Sequence, residues 1–162
     1  MVNPPDLIRI ALYLASGDLN DRVGRPRQTE LSRAVSCAYY ALFHTLARCC
    51  ADTRVGVSPA SRSQGAWRQT YRALEHGPAR SRCSRQIMLN RFPEEIQDFG
   101  RLFVGMQRGR HAADYDPDAR FSRSDVLQFI EEAAGTITRF NRVAIRDRRA
   151  FAVYVLFSLR QD

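Results

Sequence analysis

Apolar residues recur along this chain at three- and four-residue intervals, separated by polar stretches rich in Gly, Pro, Ser and Asp, and that period predicts helices. A first helix is expected from Pro5 to Ala15, with Pro at its start, Leu7, Ile10, Ala11 and Leu14 on one face, and Gly17 after it. Asp18 to Pro26 reads as a polar turn. From Arg27 to Ala51 there is no Gly or Pro, and Leu31, Val35, Ala38, Leu42, Leu46 and Cys49 trace one stripe, widened by Tyr39 and Phe43. A helix apolar over so much of its circumference belongs at the centre of a bundle. Its other face carries Arg33, Cys37, Tyr40, His44 and Arg48 at the same helical spacing.

Residues 52–66 hold Gly56, Pro59, Gly65 and several Ser, the composition of a loop. Trp67, Tyr71 and Leu74 then predict a short helix ending at Gly77-Pro78, with His76 near its C-terminus. Ala79 to Asn90 is ambiguous, with a short helix possible around Ile87 to Leu89. Pro93, Glu94 and Glu95 open another helix that turns Ile96, Phe99, Phe103 and Met106 inward and ends in the turn Asp114 to Asp118. Ser122 to Asp125 resembles a capping box with Asp in place of Glu, and Val126, Phe129, Ile130, Ala133, Ile137, Phe140 and Ala144 follow at helical period. The segment Asp147 to Arg160 either continues that helix or restarts one at an Asp147 cap. Its apolar run Ala150 to Phe157 also fits a buried strand, but nothing else in the chain offers a strand to pair with, so helix is expected, packed on the bundle or on another subunit. The expected fold is one all-α domain, an up-and-down bundle of four to six helices with its core over about 5–145.

Composition narrows the partners. The chain has 162 residues, 44% of them apolar, enough for one ordinary core. The apolar run of eight residues is far short of the roughly 20 a membrane-spanning helix needs. The first residues lack a basic segment before an apolar core, so a cytoplasmic protein is expected. All 25 basic residues are Arg, and the net charge is +8. Residues 53–92 hold 8 Arg against the single acid Glu75, while the rest of the chain is nearly balanced. Such a segment suits a phosphate backbone or an acidic partner, or is a solvated connection without a ligand. Cys37, Cys49, Cys50 and Cys83 lack the two-residue spacing of zinc knuckles and read as reduced thiols.

Two places carry candidate chemistry. Four residues beyond Met106 stands Arg110, and four further stands Asp114, so a cation and a carboxylate continue an inward stripe. They read either as a structural ion pair or as a guanidinium poised for a phosphate, oriented by Asp114 or Tyr115, with His111 beside them. His44 is the best proton-transfer group on its helix, or else an interior hydrogen bonder. Asp114, Asp116, Asp118, Ser122 and Asp125 mimic a calcium loop, but Ala119 stands where the turn needs Gly and Pro117 stiffens it, so no metal is expected. Phosphate-binding glycine loops, nucleophile elbows and paired-histidine zinc helices are absent.

The stretch Arg33-Ala-Val-Ser-Cys-Ala-Tyr-Tyr-Ala-Leu-Phe-His44 and the later Arg110-His-Ala-Ala-Asp-Tyr115 resemble, in type and order, the paired signatures of prokaryotic HEPN domains. The resemblance covers roughly Pro5 to Phe140. It implies an all-α bundle that commonly dimerises, often within toxin–antitoxin or phage-defence systems and beside a small nucleotidyltransferase. Many members are metal-independent endoribonucleases that use an Arg and a His four to six residues apart. Here no His follows Arg110 at that distance; Arg108-Gly-Arg-His111 is the nearest arrangement, and His76 follows Arg72 with only three residues between.

A composite site, His44 from one helix and Arg110 from another, would meet the same chemical need. The first functional expectation is therefore a metal-independent ribonuclease of the toxin or defence type, needing no cofactor. Its site would be drawn from Arg110, His44, His111, Asp114 and Tyr115, with RNA held by Arg33, Tyr40, Arg68, Arg72, Arg80, Arg82 and Arg85. The second is a non-catalytic module that binds RNA, nucleotide or a partner protein through the Arg-rich segment. The third is a structural helical partner that uses Ala150 to Phe157 as its interface.

Overall fold

A computed structural model describes residues 2–16 and 25–158, and among them every regular element is a helix. The turn expected over 18–26 lies outside the described residues except for its last two, and so does the end of the segment expected to reach Arg160. Eight helices follow in order: α1 Pro4–Ser16, α2 Gln28–Val55, α3 Gln64–Arg72, α4 His76–Cys83, α5 Gln86–Leu89, α6 Glu94–Tyr115, α7 Arg123–Arg142 and α8 Ile145–Leu156. The bundle expectation holds, but four to six helices was too few among the described residues. The excess lies in 64–89, where three short helices replace one helix and an ambiguous stretch.

The long α2 is the axle of the bundle, packing against α1, α3, α6, α7 and α8. Its stripe is buried from Leu31 through Cys49, with Tyr39 fully enclosed. The Glu30 carboxylate accepts from the Arg27 amide at 2.6 Å, satisfying a donor before the first turn. The Gln28 side chain pairs with both backbone groups of Phe121 at 2.9 Å, tying the start of α2 to the approach of α7. α2 stops at Gly56, whose φ of 123° is a conformation that L side chains rarely adopt. α6 buries Ile96, Phe99, Phe103 and Met106 as its spacing predicts, and Phe99 stacks on Phe140 of α7 at 4.3 Å between centroids.

The loop expected over 52–66 is shorter at both ends, since α2 continues to Val55 and α3 begins at Gln64 behind a Ser63 cap. Other expected boundaries move as well, each for a local reason. Gly77-Pro78 does not end a helix: α3 stops at Arg72, and both residues sit in the first turn of α4. Amides in a helix's first turn have no intrahelical acceptor, so a proline there forfeits nothing. His76 accordingly begins a helix rather than closing one. α7 ends at Arg142, before Ala144, and α8 begins at Ile145 with Asp147 inside its first turn, so Asp147 favours the helix dipole without capping it. The Ser122 cap forms as expected, its Oγ accepting from the Asp125 amide at 3.1 Å.

The apolar run near the end is helical and mostly turned inward: Phe151, Ala152, Tyr154 and Val155 are buried, while Val153 and Phe157 stay exposed. Tyr154 donates to the Arg82 carbonyl at 2.8 Å, and the Arg82 guanidinium bonds the Val155 carbonyl. These bonds lock α8 to α4. No described helix is long and apolar enough to cross a membrane.

Candidate functional site

The half-exposed face of α2, the start of α4, the α3 helix and the last turns of α6 converge on Tyr40. Arg110 on α6 donates from Nη2 to the Tyr40 hydroxyl at 3.1 Å, and its guanidinium carbon lies 5.5 Å from the Tyr40 ring centre and 5.4 Å from that of Tyr115. Its Nε stands 2.7 Å from Asp114 Oδ2, close enough for a strong ion pair though not aligned as a hydrogen bond. Ser36 donates to the other Asp114 oxygen at 2.6 Å, and exposed Arg33 stands 3.9 Å from that oxygen. Asp114 thus acts as a brace for the guanidinium. Burial works against the charge of Arg110, but the oxygens of Tyr40, Asp114 and Tyr115 outweigh it and hold the group cationic. Nη1 has no partner among the described residues.

Two imidazoles share the Tyr40 neighbourhood. His44, one turn along α2, lies 6.1 Å from the Tyr40 ring at 28° and bonds the Tyr71 hydroxyl through Nδ1 at 2.6 Å. His76, from α4, lies 6.0 Å from Tyr40, stacks on Phe43 at 3.9 Å, and bonds the Tyr39 hydroxyl through Nδ1 at 2.6 Å. Gln107 of α6 donates to the His76 carbonyl at 3.3 Å, and its own Oε1 is sealed from solvent with no donor. In both histidines Nε2 is unbonded among the described residues. Burial lowers both pKa values, reinforced at His76 by the charges of Arg110 and His44, so both rings are neutral at pH 7 and able to accept a proton. Burial raises the pKa values of Tyr39 and Tyr71, keeping their hydroxyls protonated.

The rings continue in a ladder. Tyr71 lies 5.9 Å from His44 at 16°, and Trp67 lies 5.1 Å from Tyr71 at 25°. A second guanidinium closes the far end, with Arg62 stacked 4.3 Å over Trp67. Arg62 is fixed there by the Gly56 and Val57 carbonyls and by Asp52, which also accepts from Trp67 Nε1 at 2.8 Å. The Trp67 and Tyr71 rings are offset-stacked, the Tyr71 and His44 rings lie nearly coplanar and end to end across their hydrogen bond, and the cations attract the ring faces. Four rings from two helices are therefore held in one row between two arginines.

Of the residues singled out from the sequence, the fold unites Arg110, Asp114, Tyr115, Tyr40, His44 and Arg33. His111 is exposed, tilted against Tyr115 with 5.0 Å between ring centres, and without a side-chain hydrogen bond. Arg68 and Arg72 lie exposed on α3, and Arg80 and Arg85 are exposed on and just after α4, all four without a side-chain hydrogen bond or ion pair among the described residues. Arg82 differs, since its guanidinium is spent on α8. Sequence reasoning missed His76, Tyr71 and Trp67 as members of the cluster. The signal was the i, i+4 spacing of Trp67 and Tyr71, matched by Tyr40 and His44 on α2.

No other chemistry gathers as tightly. Burial raises the Cys49 and Cys83 thiols to about 12 and lifts Cys50 as well, so they remain protonated. Among the described residues no group of three or more His, Cys, Asp or Glu is placed to hold a metal, and Asp116 instead accepts from the Asp118 amide in its own turn. No family model matches the chain, and neither curated proteins nor solved structures show significant similarity to it.

Proposed function

We propose that the protein acts on RNA as a metal-independent endoribonuclease of the HEPN toxin or defence type. The observation that carries this reading is the convergence of a braced, charged Arg110 and two neutral imidazoles, His44 and His76, around Tyr40. In the reaction, a ribose 2′-hydroxyl attacks the adjacent phosphorus and the bond to the 5′-oxygen breaks, leaving a 2′,3′-cyclic phosphate and a 5′-hydroxyl. One imidazole takes the 2′-proton through its unbonded Nε2, and the imidazolium so formed delivers that proton to the leaving oxygen. Arg110 meets the charge that builds on the phosphoryl oxygens, with its unbonded Nη1 as donor. Asp114 positions it and Tyr40 holds its second nitrogen. The partial burial of the cluster strengthens each of these interactions.

The expected homodimer and the nucleotidyltransferase-type partner belong to the same reading; the exposed Tyr115 beside Arg110 and the exposed Val153 and Phe157 on α8 are surfaces such partners would use. A non-catalytic RNA-binding module is the second reading, favoured by the unpaired, exposed Arg68, Arg72, Arg80 and Arg85. Incubation with end-labelled RNA in chelator separates the two. Cleavage lost on Arg110→Ala supports the nuclease, whereas salt-sensitive binding without cleavage supports the module.

A further inference from the structure

Beside His44 the ladder opens into a cleft of about 800 Å³ between α2, α3 and the loop that joins them. That is the size of a pocket for a small organic ligand. Its floor is the nearly coplanar, hydrogen-bonded pair His44 and Tyr71, with Trp67 stacked on Tyr71, and its rim carries Arg68 and Arg72, one helical turn apart on α3. Among the described residues no Asp or Glu lines it. The nearest carboxylate, Asp52, is engaged by Arg62 and Trp67 and offers no counter-charge to the rim. The Arg68 and Arg72 guanidinia are exposed and make no hydrogen bond or ion pair among the described residues. Gln64, also on the wall, supplies an amide able both to donate and to accept.

A flat aromatic floor, an amide on one wall and two unpaired guanidinia on the rim match one chemical class: a planar heterocyclic base carrying a phosphate. We infer that this cleft is a nucleotide subsite, holding one base of single-stranded RNA against Tyr71 while Arg68 and Arg72 grip its phosphate. The inference rests on the proposed RNA activity, since His44 belongs both to the cleft and to the Tyr40 cluster. It adds where the strand lies: a nucleotide here borders the imidazole next to which the cleaved phosphate would sit.

Trp67 is the chain's single tryptophan, lines the cleft and stacks on Tyr71, so its fluorescence reports occupancy through Tyr71. Wild-type protein is titrated at low salt with adenosine 5′-monophosphate, with adenosine and with inorganic phosphate. Saturable change with the nucleotide, at least about tenfold weaker with either fragment, is expected. Arg68→Ala/Arg72→Ala should weaken nucleotide binding by about tenfold or more while the emission of the free protein stays unchanged, because both side chains lie on the surface. Nucleotide without effect on Trp67, phosphate binding as well as nucleotide, or full affinity in the double variant would each overturn the subsite. RNA cleavage by a protein that fails this titration removes the subsite and leaves the nuclease standing. Nucleotide binding without cleavage keeps the subsite and counts against the nuclease.

Discussion

Replacing Asp114 by Asn removes one charge from the brace of Arg110 and almost nothing else, because Asn keeps the volume and an oxygen for the Ser36 hydroxyl. The side chains of Arg110 and Asp114 are 17% and 13% exposed, and the ion-pair distance is 2.7 Å. Exposed pairs contribute about 0.2–1 kcal/mol, and breaking a fully buried pair costs about 3–5 kcal/mol. This pair lies nearer the buried limit, but water reaches it from one side, so Asp114→Asn should cost about 2–3 kcal/mol. Urea unfolding would show a lower midpoint with an unchanged slope, and heating would show a Tm lower by about 5–10 °C for a chain of this size. A double-mutant cycle with Arg110→Gln isolates the pair, with an expected coupling of about 1.5 kcal/mol or more. Coupling under about 0.5 kcal/mol would mean that the two groups do not depend on each other, and the brace would have to be abandoned.

Further outcomes follow from the same geometry. His44 and His76 have lowered pKa values, so on acidification the unfolded chain takes up protons before the folded one. Their contribution to stability is therefore complete above the ordinary histidine value of about 6.5 and is lost as pH falls below it; proton NMR should place both imidazole midpoints below that value, and a midpoint at or above it for either ring would refute the burial argument. Arg62→Ala removes a side chain only 7% exposed that holds two carbonyls, Asp52 and the face of Trp67, and should cost about 2–4 kcal/mol, with Trp67 emission shifting to the red as α3 loosens. Unchanged stability and emission would show that α3 is held elsewhere.

The parts of the fold legible in the sequence were those set by period. The α2 stripe and the inward face of α6 follow from spacing alone, and continuing the α6 stripe past Met106 placed Arg110 and Asp114 on the correct side of the helix. Boundaries set by a single residue were not legible, because proline both ends helices and begins them. Reading Gly77-Pro78 as a stop put His76 at the wrong end of a helix and hid it from the site. The ladder failed to appear for a different reason. Its two halves, Tyr40 with His44 and Trp67 with Tyr71, are visible as local pairs, but their alignment depends on how α3 docks on α2, which is determined by Asp52 in the last turn of α2 and by Arg62 from a loop that composition marks only as irregular.

The most direct test of the composite site is cleavage of end-labelled single-stranded RNA in chelator, with end-group analysis, by wild type, Arg110→Ala, His44→Ala and His111→Ala, each checked for folding by circular dichroism. The account predicts 2′,3′-cyclic phosphate ends from wild type and from His111→Ala, and a loss of at least about a hundredfold in rate for Arg110→Ala and His44→Ala. Wild-type rates from folded Arg110→Ala, or no cleavage by wild type itself, would contradict it.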